Sequence, residues 1–155
     1  MNWYTYANNN SIRFTDSTGL DPALDEYVNT NYSGQVTITL VVQQPISGSR
    51  QAIDSNFEGE VGHTFVRIDY GYGDVYYYGL YPKDPMTPEQ ILKNEENVTR
   101  EIRDDSNHDW NIAEVFVIDR KDADKALSFI QNYNKDYNMV KNNCTTFGVD
   151  ALKKA

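Results

Sequence analysis

Between residues 35 and 44 apolar side chains recur at every second position: Val36, Ile38, Leu40 and Val42 alternate with Thr37, Thr39 and Gln43. A period of two with β-branched residues on both faces is the pattern of a strand. The same reasoning predicts strands over 61–70 and 75–81, joined as a hairpin by Gly71-Tyr72-Gly73-Asp74. Further strands are predicted at 112–118 and 98–103. The spacing then changes. After Asp122, read as a helix cap, Ala126, Leu127, Ile130 and Tyr133 fall on one face of a helix. A last helix over 145–154 offers Phe147, Val149, Ala151 and Leu152 for packing, and Lys153 and Lys154 suit its C-terminal end. Thr87-Pro88-Glu89-Gln90 reads as a capping box opening a helix to about residue 94. Asp21-Pro22 opens a short helix to about residue 31. Before it, Ile12 and Phe14 form one short strand between clusters of turn residues. The stretches 45–60 and 104–109 are polar loops. Strands precede helices, which predicts an α+β fold with an antiparallel sheet packed against helices.

Charge narrows the partners. The 155 residues carry a net charge of −9, and the sequence pI is about 4.6. Nucleic-acid backbones and anionic membranes repel such a surface. No apolar run approaches the ~18 residues of a membrane span, so the chain is expected not to cross a membrane. The N-terminus has neither the basic start nor the apolar segment of a signal peptide. Cys144 is the only cysteine, and His63 and His108 are the only histidines. An internal disulfide is therefore impossible and a metal site is not expected; no cofactor is implied.

The lone cysteine stands in a polar run, Asn142-Asn143-Cys144-Thr145-Thr146. Free cysteine is usually a small buried hydrophobe, but this segment is a poor core segment. Cys144 falls at or just before a helix N-terminus, where free N–H groups and the helix dipole stabilise a thiolate. The backbone N–H of Cys144 is also placed to hold an oxyanion. His63, near the start of a strand, is the candidate general base and acid. A core or edge histidine is the bland alternative. A base needs an orienting group. Tyr78, across the hairpin with Tyr81, is the candidate for that role. His108 reads as a solvated loop residue. Asp104, Asp105 and Asp109 lack the spacing and glycine of a calcium loop.

Two stretches resemble known families. Tyr4-Thr5-Tyr6, Asn8-Asn9-Asn10 and Asp16-Ser17-Thr18-Gly19-Leu20 resemble the end of the core region of RHS-repeat proteins, with Ser11 and Ser17 where the family pattern has proline. Gly62-His63-Thr64-Phe65, Tyr78-Gly79-Leu80-Tyr81-Pro82 and Asn143-Cys144-Thr145-Thr146-Phe147 resemble circularly permuted papain-like domains, relatives of NlpC/P60 peptidases and of the lecithin:retinol acyltransferase group. These resemblances divide the chain into an RHS-like tail (1–20), a linker with a short helix (21–34) and a papain-like domain (35–155). They imply a bacterial toxin or effector module, secreted or delivered as part of a larger RHS protein and met by an immunity protein. They also imply a cysteine hydrolase or acyl-transfer activity on a peptide or amide substrate, with amide bonds of peptidoglycan peptides as the first choice. The rival expectation is a non-catalytic binding module with a degenerate papain-like fold.

Overall fold

The computed structural model describes residues 35–45, 48, 62–87, 90 and 97–155. The RHS-like tail, the linker helix, the body of the 45–60 loop and the helix after Gln90 lie outside the described residues. At its start, Thr87 and Gln90 exchange the reciprocal capping-box bonds: the Thr87 N–H donates to Gln90 Oε1 at 2.9 Å and the Gln90 N–H to Thr87 Oγ1 at 3.2 Å.

Among the described residues five strands form one antiparallel sheet: β1 (Gln35–Gln43), β2 (His63–Asp69), β3 (Val75–Pro82), β4 (Arg100–Arg103) and β5 (Ile112–Asp119). Their order is β4-β3-β2-β1-β5. Two helices follow, α1 (Arg120–Gln131) and α2 (Cys144–Leu152). The α+β class and the antiparallel sheet are those expected from the sequence pattern. Alternation decides which face the helices cover. Val36 and Ile38 of β1, Val66 and Ile68 of β2 and Leu80 of β3 join Ala123, Ala126 and Ile130 of α1 and Phe147 and Ala151 of α2 in one core. The cap of α1 is Asp119, not Asp122. Asp122 sits in the first turn, where a carboxylate suits the helix dipole, and pairs with Lys125.

α2 lies close against the sheet because residue 148 has no side chain. A Cβ there would meet Leu40 at 2.6 Å and lie 3.5 Å from Thr64. This approach brings the N-terminus of α2 to the first residues of the central strand β2.

The hairpin between β2 and β3 turns through Tyr72, with Phe65 opposite Gly79 and Asp69 opposite Val75. Tyr72 and Gly73 have φ of 56° and 86°. A tyrosine in the left-handed region is strained, and the flanking glycines take the rest of the turn without cost.

On the sheet face away from the helices, Arg67 Nη2 donates to Asp69 Oδ2 at 2.8 Å. Both residues are buried. Asp69 Oδ1 also accepts the Gly71 N–H at 2.7 Å, tying the pair to the turn. Removing the carboxylate leaves a buried guanidinium without its counter-ion. Asp69→Ala should therefore destabilise the fold by roughly 3–5 kcal/mol, read as a lowered urea midpoint.

Candidate active site

The asparagines before Cys144 build the loop that delivers it. Asn138 Oδ1 accepts the backbone N–H groups of Val140 and Lys141 at 3.0 and 2.9 Å. Asn138 and Asn142 also exchange backbone hydrogen bonds at 2.9 and 3.0 Å. The Asn142 side chain accepts from the Tyr133 hydroxyl and donates to the Asp136 carbonyl at 2.6 Å. Asn143 is the N-cap of α2: its Oδ1 accepts from Thr146 N at 3.0 Å, and Thr146 Oγ1 accepts from Asn143 N at 2.8 Å. The polar run is thus a loop and a cap, and Cys144 is the first residue of the helix. An N–H in a helix's first turn, that of Cys144 included, has no partner within the helix.

His63 is the first residue of β2. It is buried, and its Nε2 lies 2.8 Å from Asp105 Oδ2. Asp105 is 5% exposed, and its other oxygen accepts the Tyr81 hydroxyl at 2.7 Å. With Nε2 held by the carboxylate, Nδ1 is the ring nitrogen left for the thiol. Gly79 makes the arrangement possible. A Cβ there would lie 1.9 Å from Asp105 Oδ2 and 2.6 Å from His63 Nε2. Any side chain at 79 would occupy the place of the carboxylate.

Electrostatics couple the two groups. Burial alone would push the His63 imidazole down. Hydrogen bonds to Asp105 and Cys144, and the charges of both, outweigh it and raise the histidine from 6.5 to about 9. Burial alone would push the Cys144 thiol up. The hydrogen bond and charge of His63, the Thr64 backbone and the Thr145 side chain together hold it below its ordinary value. Thr145 Oγ1 is itself fixed 3.0 Å from Thr64 Oγ1. Both shifts run toward a thiolate beside an imidazolium.

The structure brings together Cys144 and His63. Tyr78 lies elsewhere. It is half-buried against the helix-bearing core, its ring stacked on Tyr76 at 6.1 Å and its hydroxyl bonded to Gln131. Phe65 pairs with Gly79 and Val66 with Tyr78, so Tyr78 points to the face opposite Gly79. The place beside His63 expected of Tyr78 is taken by Asp105, which in the sequence is only one acid of a polar loop. One signal for it existed: a glycine inside a strand of tyrosines marks a close approach.

His108 is half-buried, not a freely solvated loop residue. The Asp105 carbonyl accepts its backbone N–H at 3.0 Å. Its ring stands edge-on 4.9 Å from His63 and 5.8 Å from Phe65. Its Nε2 lies 2.7 Å from Gln43 Oε1.

The pH dependence follows from these shifts. The His63 contribution to stability is complete below 6.5 and fades as pH rises through about 9. The Cys144 contribution is complete above the ordinary thiol value of 9 and fades as pH falls through its lowered value. Cys144→Ala leaves His63 its Asp105 contact and removes only the thiolate, so the stability difference between wild type and variant should grow as pH rises through the lowered Cys144 value toward 9. Urea midpoints across pH check this; a difference that does not grow with pH below 9 would contradict the lowered thiol.

No protein-family model, curated protein or solved structure matches the chain.

Proposed function

We propose that the protein is a cysteine-dependent hydrolase or acyl-transfer enzyme. The observation that carries the reading is the buried His63–Asp105 contact at 2.8 Å, on a histidine hydrogen-bonded to Cys144. The Cys144 thiolate attacks an amide carbonyl carbon, and a C–S bond forms. The backbone N–H of Cys144 stabilises the oxygen that becomes negative. His63 then gives its proton to the leaving nitrogen as the C–N bond breaks. Water adds to the thioester, its proton passing to neutral His63, and Cys144 leaves as the thiolate. Asp105 fixes the ring tautomer and stabilises the imidazolium in both half-reactions.

The papain-like assignment, the RHS-type effector context and an amide bond of peptidoglycan peptides as target belong to this proposal. Two kinds of support stand behind them. One is the resemblance of the His63 and Cys144 segments; the other is their order, a strand histidine before a cysteine that opens a helix.

Two measurements test the reading. Cys144 should react with iodoacetamide at about pH 6 well ahead of a free thiol, by roughly tenfold for each unit by which its pKa is lowered. His63→Ala should remove that advantage. The full chain should also arrest bacterial growth when expressed in the cytoplasm or the periplasm, and Cys144→Ala should not. Periplasmic arrest points to the cell wall, cytoplasmic arrest to a protein or lipid. An ordinary thiol together with no cysteine-dependent effect would leave the binding module as the better reading.

A further inference from the structure

Tyr81 touches neither the thiol nor the histidine nitrogens through its hydroxyl, yet its contacts converge on them. The hydroxyl donates to Asp105 Oδ1 at 2.7 Å while Oδ2 of the same carboxylate faces His63. The Tyr81 ring lies 4.4 Å from the His63 ring. On the strand beyond, the Arg103 guanidinium sits over that ring at 4.8 Å, and β3–β4 pairing sets Arg103 opposite Gly79. Burial and the hydrogen bond to Asp105 push the Tyr81 phenol up.

A carboxylate on a loop residue can rotate about its terminal torsion. Asp105 is held at one oxygen by a histidine that must itself change charge during a reaction. A neutral donor on the other oxygen fixes the plane of the carboxylate independently of that charge. We propose that Tyr81 is a positioning residue: it orients Asp105, Asp105 orients His63, and the thiolate–imidazolium pair depends on the chain of contacts. The Arg103 guanidinium over the ring holds Tyr81 in turn. This rests on the Cys144–His63 reading given above and extends it by one residue.

The test is the pH profile of Cys144 alkylation by iodoacetamide in the full chain, a readout that a merely structural tyrosine would not move. Tyr81→Phe keeps the ring against His63 and Arg103 and removes only the hydroxyl. Its inflection should move up by about half to one pH unit, a roughly three- to tenfold loss of thiolate at a pH below it. Asp105→Asn should move the inflection further. Added to Asp105→Asn, the Tyr81→Phe change should have no further effect, because the two act through one contact. Circular dichroism melts of each variant show that the fold is kept. An unmoved Tyr81→Phe inflection, or effects of the two substitutions that simply add, would overturn the role of Tyr81. A wild-type thiol with an ordinary profile would instead overturn the dyad itself, so the two failures are distinguishable.

Discussion

The arrangement depends on one buried contact, that between His63 Nε2 and Asp105 Oδ2. Burial favours the neutral forms of both His63 and Cys144. Left to burial alone, the two would form a thiol beside an imidazole. The carboxylate and the mutual contact of His63 and Cys144 together reverse this by favouring the charged forms. For that to work, Asp105 must reach a strand end across a sheet, and the strand between must have no side chain in the way. Gly79 meets that condition. One glycine in a run of tyrosines therefore does for the site what a turn glycine does for a chain reversal, here by vacancy and not by backbone freedom.

The other parts hold this contact from different directions. β2 is central in the sheet and buried along its whole length, and His63 is its first residue. α2 is seated by Gly148 against Leu40 and Thr64, and the Asn143 cap begins it at Cys144. The nucleophile and its base thus come from two elements that share a core. Neither depends on the loop that supplies Asp105. That loop is the one non-regular contributor, and it is tied by Tyr81 at the carboxylate and by the His108 N–H at the carbonyl.

Much of this was legible in the chain itself. The alternation of β1, the hairpin and the periodic face of α1 are local patterns, and local patterns survive into the structure. Cys144 and His63 stood out because a polar segment around a cysteine and a histidine at a strand start conflict with core packing. Asp105 did not stand out, since a partner forty-odd residues away is chosen by tertiary contact and carries no local periodicity. The choice of Tyr78 is an error of a different kind. Phe65 pairs with Gly79, and continuing that register by two residues sets His63 against Tyr81. A shift of an odd number of residues turns a side chain to the other face, which is why Tyr78 meets the helices and Tyr81 meets the site. His108 lies in a polar run that hides a turn, and the turn folds its ring toward His63.

Charge within the site bears on the substrate under the proposed reading. Asp105, His63 and Cys144 in their favoured states carry two negative charges and one positive. The excess negative charge is met by the dipoles of the Tyr81 hydroxyl, the Thr64 backbone, the Thr145 hydroxyl and the N-terminus of α2, with the Arg103 guanidinium beyond the Tyr81 ring. An anionic acyl donor would add to that excess as it approached. A neutral amide or ester carbonyl would not, and attack on it moves charge from sulfur to an oxygen beside the same helix N-terminus. The electrostatics that hold the thiolate before reaction thus also suit the oxyanion that replaces it, which makes a neutral carbonyl the matching partner for this site.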